Sequence, residues 1–124
     1  MEALYITGHT DRYHSWETMS GYQLALLEES GLFRVDTLLL PAAVTEEPVN
    51  FSAYDVVILN INDVQWPSPW KKEFEEYIHR GGGLVIMHEA DNAFPEWEAF
   101  NEMIGLGGWG NRAEEAGPYH YWTK

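Results

Sequence analysis

The chain has 124 residues, 45% of them hydrophobic, and a formal net charge of −13 from 20 acidic and 7 basic residues. This length and composition suit one domain with a packed core. The charge disfavours nucleic acid and anionic membranes as partners, because both require clustered Lys and Arg. The absence of cysteine excludes disulfides, thiolate metal sites and a cysteine nucleophile.

The start of the chain, MEALYITGHT, does not have the basic segment and apolar stretch of a signal peptide. No apolar run approaches the roughly 20 residues that span a bilayer. We therefore expect a soluble, cytoplasmic protein without membrane association.

Hydrophobic periodicity predicts an alternation of strands and helices along the chain. In chain order, the predicted elements are a strand at Ala3–Gly8, a helix at Glu17–Ser30, strands at Leu32–Leu40 and Tyr54–Asn62, a helix at Pro69–Arg80, a strand at Gly83–His88 and a helix at Glu96–Ile104. The first helix has its apolar residues Met19, Tyr22, Leu26 and Leu27 at helical spacing. The tail, residues 106–124, is rich in glycine and aromatic residues and is predicted to be irregular.

This alternation is typical of βαβ units, so the fold class is α/β with a parallel sheet of about four strands. Such a sheet, covered by helices on both faces, has three layers. Doubly wound sheets usually have five or six strands. Either the chain is a fragment, or a partner covers the exposed sheet edge.

Polar residues follow three of the predicted strands at their carboxyl ends, where open α/β sheets bind ligands. These candidate residues are His9, His14 and Trp16 after the first strand, Asn60 and Asn62 at the end of the third, and His88, Glu89, Asp91 and Asn92 after the fourth. If the sheet is parallel, all of them lie on one rim. This coincidence indicates a functional site.

The residue types at this rim suit acid–base chemistry on a polar substrate. Neutral imidazole acts as a base or as a metal ligand near neutral pH, although a single histidine is more often structural. Asp91 and Glu89 would orient an imidazole, act as acid and base, or simply cap a helix. The amides of Asn60 and Asn62 suit sugar hydroxyls, but they equally suit turns. Loop tryptophans such as Trp16, Trp66 and Trp109 would stack on a sugar ring or pack in the core.

Several motifs are absent from the sequence. It contains no phosphate-binding P-loop, no GxGxxG after the first strand and no GxSxG nucleophile elbow. Nucleotide binding and serine-dependent hydrolysis are therefore unsupported.

Four segments together resemble the ThuA-like (trehalose utilisation) family. They are TGHTDRYHSW, YDVVILNIND, GGGLVIMHEADNAFPEW and NEMIGLGGWGNR, and the resemblance extends over nearly the whole chain. It implies the flavodoxin-like core of the class I glutamine amidotransferase superfamily. Where the amidotransferases have a cysteine nucleophile, this chain has His88, so the resemblance implies loss of glutaminase chemistry and retention of the site.

The resemblance implies a role in the use of trehalose or a related disaccharide. A 3-keto sugar is the substrate form we consider, with His88 and His14 as base and acid and with His9 and Asp91 either orienting them or joining a metal site. Trp16, Asn60, Asn62, Glu89, Asn92 and Trp109 are predicted to bind the substrate. A divalent metal, zinc or manganese, is left open as a cofactor.

The chain departs from the family pattern in two respects. Glu89 stands where the pattern leads us to expect glycine after the histidine. ThuA-like domains are also about twice as long, so residues 1–124 are expected to form the N-terminal portion of such a domain.

Three hypotheses follow from these residues and motifs. A sugar-active hydrolase or lyase requires His9, His14 and His88 close together. A carbohydrate-binding module without catalysis requires exposed aromatic residues beside a cleft. A structural fragment would form a homo-oligomer through an exposed sheet edge or through the tail.

Overall fold

The computed structural model describes residues 1–10, 14–62, 65–105 and 107. The strands are β1 (Glu2–Thr7), β2 (Arg34–Leu39), β3 (Val56–Asn60) and β4 (Gly83–Ile86), and the helices are α1 (Trp16–Glu29), α2 (Ser68–His79) and α3 (Glu98–Ile104). Short 3-10 turns occupy Phe51–Ala53 and His88–Asn92. The predicted elements and their order are confirmed, and their boundaries differ by only a few residues.

The four strands form one parallel sheet in the order β2-β1-β3-β4. This is the order of a flavodoxin-like doubly wound sheet, so the predicted α/β fold class is confirmed. The register aligns Tyr5 with Ile58 and Ile58 with Val85, which places these three side chains on one face of the sheet.

The opposite face carries the main hydrophobic core. Strand residues such as Ile6 and Leu59, both 0% exposed, pack there beneath α2 and α3. The helices contribute mostly aromatic side chains, among them Trp70, Phe74 and Phe100. Aromatic rings bury large areas and prefer edge-on or offset contacts, and such contacts connect the whole cluster.

Helix α1 packs on the other face through polar contacts. Its one buried residue is Ser20, whose hydroxyl lies 2.7 Å from Thr7 Oγ1 and accepts a hydrogen bond from Asn60 Nδ2 at 3.2 Å. Three of the four apolar residues at helical spacing do not form the buried side of this helix, because Met19, Tyr22 and Leu26 are 41%, 71% and 67% exposed. The fourth, Leu27, is half-buried.

The outer edge of β4 has no strand beside it within the described residues. The strand is apolar on both faces, and Val85 is 43% exposed. Within the described residues, no helix combines the length and apolar character needed to cross a membrane. The predicted irregular tail lies outside the described residues apart from Gly107.

Gly82 and Gly21 provide a matched pair of substitutions, because Gly82 is packed against α2 and Gly21 is an open position in α1. A Cβ added at Gly82 would stand 2.3 Å from Cζ of Tyr77, a buried ring whose hydroxyl donates to Gly83 O at 2.8 Å. We expect Gly82→Ala to lower the free energy of unfolding by about 1–3 kcal/mol, because the ring must move.

Gly21→Ala is the control, since Gly21 lies within α1 and has open space around it. We expect this variant to raise the free energy of unfolding by about 0.5–1 kcal/mol through helix propensity. Urea titrations followed by circular dichroism measure both changes. Equal stability of the two variants would contradict the predicted contact at Gly82.

Candidate functional site

The first strand delivers His9 to the carboxyl rim of the sheet through Gly8. Gly8 has φ of +118°, and a Cβ at this position would stand 2.2 Å from the carbonyl oxygen of Leu40. Only glycine fits this conformation and this close approach. The chain therefore turns at the end of β1 without separating from the segment after β2.

His9 is held by Asn62 through two hydrogen bonds. The backbone N–H of Asn62 donates to the carbonyl of His9, and His9 Nδ1 lies 2.8 Å from the carbonyl oxygen of Asn62. A carbonyl oxygen only accepts, so Nδ1 is the protonated nitrogen and Nε2 is the one left for other partners. These bonds continue the pairing of β1 with β3 beyond the strands.

Thr10 fixes the chain just before α1. Its hydroxyl donates to the carbonyl oxygen of His14 and accepts from the backbone N–H of Trp16 at 3.2 Å. Ser15 then caps the helix, since its Oγ accepts from the N–H of Thr18 at 3.3 Å. His14 and Trp16, both half-buried, are thereby placed at the N-terminal end of α1.

The fourth strand delivers His88 and Glu89. The N–H of Met87 donates to the carbonyl of Leu59 at 2.9 Å, which continues the pairing of β3 with β4 by one residue. The 3-10 turn follows at once and buries Ala90 completely. As a result His88 lies exposed on the rim, whereas Glu89 points inward with a side chain 3% exposed.

His14, His88 and Glu89 form the centre of the site. The ring centroids of His14 and His88 are 5.4 Å apart with an angle of 67° between the planes. Glu89 Oε2 lies 3.8 Å from His14 Nδ1, at the distance of an ion pair. Two imidazoles and a carboxylate from two separate segments thus meet at the carboxyl ends of the strands. This arrangement can move protons.

An open groove of about 440 Å³ lies beside His88 at the outer edge of β4. Its lining residues are Leu84, Ile86, His88, Asp91, Met103 and Ile104. The wall is apolar along β4 and α3, and the polar groups are at one end. Asp91 is therefore on the groove side of His88, while Asn92 is half-buried at the end of the same turn.

The amide of Asn60 lies beneath the rim. It is 1% exposed and donates to Thr7 Oγ1 at 3.4 Å and to Ser20 Oγ at 3.2 Å. Tyr5, 0% exposed, extends this buried network by donating to Gln23 Oε1. The sequence does not reveal this network, because Tyr5, Ser20 and Gln23 belong to a strand and a helix with no polar pattern.

Burial raises the pKa of the Tyr5 phenol, and the negative charge of Glu89 adds to the increase. Burial likewise raises the pKa of Tyr77. A pKa that is higher in the folded protein than in the unfolded chain stabilises the fold below about pH 10, the ordinary value for tyrosine. This contribution is lost as the pH rises through the folded pKa.

We expect the free energy of unfolding to fall as the pH rises above about 10, and this fall to be smaller in Tyr5→Phe. At neutral pH the same variant should cost about 1–3 kcal/mol, because Gln23 loses its buried donor. Urea titrations at neutral pH and at alkaline pH measure these changes in the free energy of unfolding. Tyr22→Phe is the control, since Tyr22 is 71% exposed. An unchanged alkaline fall in Tyr5→Phe would contradict the prediction.

Within the described ranges, no three His, Asp or Glu side chains are grouped closely enough to hold a metal ion. The described part of the chain therefore contains no set of ligands for zinc or manganese, the two metals considered as cofactors.

The structure thus brings together His14, His88 and Glu89 from the predicted site residues. His9, which the hydrolase or lyase hypothesis grouped with the other two histidines, is bonded to Asn62 instead. Trp109 lies outside the described residues. Trp66, one of the loop tryptophans, is 4% exposed and packs in the aromatic core.

The fold and the site define an α/β protein of the flavodoxin-like type with a polar site at the carboxyl rim of its parallel sheet. The family model for ThuA, described as trehalose utilisation, matches residues 2–122. The chain belongs to the ThuA family.

A solved structure supports this assignment. The 1.75 Å crystal structure of a protein described as ThuA-like, from Parabacteroides merdae ATCC 43184, is 40% identical to the chain with a TM-score of 0.78. The match covers 98% of this chain and 44% of that one, so the chain spans less than half the length of the ThuA-like protein. No curated protein matches the chain.

Proposed function

We propose that this chain carries the acid–base site of a sugar-active lyase or hydrolase, and that its substrate is a disaccharide oxidised to a ketone at C3. The observation that carries the proposal is the contact between the His14 and His88 rings, 5.4 Å apart at the strand ends. Membership of a trehalose utilisation family supports the choice of a disaccharide.

A ketone at C3 of a sugar acidifies the neighbouring C2–H. His88 takes this proton as the base, and the C–H electron pair forms a C1=C2 double bond while the glycosidic C1–O bond breaks. His14, protonated, gives its proton to the departing oxygen. Addition of water across the double bond then yields the 3-keto monosaccharide. Each proton transfer by a positioned imidazole contributes typically 10²–10⁴-fold to the rate.

The site suits this reaction in two respects. His88 is exposed at the polar end of the groove, so a substrate reaches its ring directly. The partner ring of His14 is half-buried, and the hydroxyl of Thr10 donates to the backbone carbonyl of His14, which helps to place the ring beside that of His88. Two histidines held in this way serve as base and acid on the same substrate.

The test is to incubate the 124-residue chain in D₂O with 3-keto-trehalose and, separately, with trehalose. NMR follows exchange of the C2 proton and release of glucose. We expect exchange and release with the ketone and neither with trehalose, and we expect both to be lost in the double variant His14→Gln, His88→Gln. Binding of the ketone without exchange would overturn catalysis and favour a carbohydrate-binding role for the chain.

A further inference from the structure

Glu89 is a buried carboxyl group at the centre of the site. Four polar residues are buried within the described chain, namely Thr7, Ser20, Asn60 and Glu89, and only Glu89 of these is ionisable. Burial of a carboxylate costs several kcal/mol unless a partner compensates it. A carboxylate in this position therefore needs a physical reason, and its neighbours supply one.

The neighbours of Glu89 place it behind His14. Its Oε2 is 3.8 Å from His14 Nδ1, and its charge also acts on the buried phenol of Tyr5. The complete burial of Ala90, the next residue, anchors the turn that carries it. The carboxylate thus lies beside the His14 ring, and His88 contacts that ring as well.

We propose that Glu89 is a positioning residue. Its carboxylate orients the imidazole of His14, keeps the proton on Nδ1 and makes Nε2 the nitrogen that exchanges protons with the substrate. At 3.8 Å the contact is longer than a hydrogen bond, and the carboxylate acts through its charge, which favours the hydrogen on the nearer ring nitrogen and so sets the tautomer of the other nitrogen. The role of Glu89 in turnover rests on the proposed function, whereas the orientation of the ring does not.

This role differs from contact with the substrate, which the sequence predicts for Glu89. A side chain 3% exposed has almost no surface to offer a ligand. Its proposed effect on the reaction is carried by the contact with His14, so kcat should fall more than KM rises when Glu89 is changed.

The experiment measures the His14 tautomer by NMR, from two-bond ¹H–¹⁵N correlations of the ring in the 124-residue chain at a pH where the imidazoles are neutral. His14→Gln identifies the signals. We expect the Nδ1–H form in the native chain and loss of this preference in Glu89→Gln, which has the same shape without the charge. An unchanged tautomer in Glu89→Gln would overturn the proposal.

Turnover of the 3-keto sugar then distinguishes the positioning role of Glu89 from the proposed function of the chain. We expect Glu89→Gln to lower kcat about 10–100-fold, as loss of the carboxylate partner of a functional histidine does, and to have no further effect in a His14→Gln background. A tautomer change in a chain without activity would sustain the positioning role and reject the proposed function. An equal loss in both backgrounds would reject the positioning role.

A second variant covers the case in which Glu89→Gln does not fold. The ¹³C carboxylate signal of Glu89 is compared between the native chain and His14→Gln. We expect it to move, because the ring is its neighbour in the site. A signal that stays unchanged would overturn the proposal.

Discussion

Replacing Trp66 with alanine is expected to lower the free energy of unfolding by about 3–5 kcal/mol. The indole is 4% exposed and lies at the centre of the aromatic core. Its ring centroid is 4.9 Å from that of Phe94, 5.4 Å from Phe74 and 5.8 Å from Phe51. Truncation removes all of these contacts at once and leaves a cavity that neighbouring rings are too rigid to fill.

Thermal and urea unfolding of Trp66→Ala measure this loss. A small domain has a total stability of about 5–15 kcal/mol, so the variant is expected to unfold well below the native midpoint. Tyr22→Ala is the control, because it also removes an aromatic ring but one that is 71% exposed. Tyr22→Ala should change the free energy of unfolding by less than about 0.5 kcal/mol. Equal losses in the two variants would contradict the core assignment of Trp66.

Replacing His88 or His14 with alanine is expected to lower kcat/KM for the 3-keto disaccharide by about 10²–10⁴-fold. In the proposed mechanism the two rings act on one substrate, so the double variant should be little worse than the more damaged single variant. Because His88 is exposed, its removal should leave the stability nearly unchanged. Steady-state kinetics and an unfolding titration on the same samples separate activity from folding.

His79→Ala is the control for this series. His79 is an exposed histidine at the end of α2, where its ring bonds to the carbonyl oxygen of Glu75 at 2.8 Å. We expect native activity in this variant. Additive losses for His14 and His88 would show that the two imidazoles do not work on the same step, and native activity in His88→Ala would reject the proposed mechanism.

The sequence was sufficient to predict the elements and to place the candidate site residues at one rim of the sheet. The apolar β3 run and the helical spacing in α2 are local signals, and both elements are found where they were expected. The carboxyl rim followed from the parallel sheet, because every strand of such a sheet ends at the same edge. His14 and His88 were candidates on that basis alone, although 74 positions separate them in the sequence.

The details of the site depended on contacts between distant segments. Glu89 and Asp91 belong to one short turn, yet Glu89 is buried behind His14 while Asp91 lines the groove. Asn60 and Asn62 alternate along one strand end, yet Asn60 joins the buried network and Asn62 pairs with His9. No local pattern distinguishes the members of these pairs, because the difference lies in what packs against each side chain.

The sequence by itself determined that this is an α/β chain of the ThuA family with histidines at the carboxyl ends of its strands. Only the tertiary structure decided that Trp66 is a core residue, that α1 buries Ser20 while Tyr22 is exposed, and that Glu89 faces inward. The physical reason is that hydrophobic periodicity is a property of neighbouring residues along the chain. Burial is decided by the neighbours that folding brings together, and here these come from β1, β3, α1 and the turn after β4.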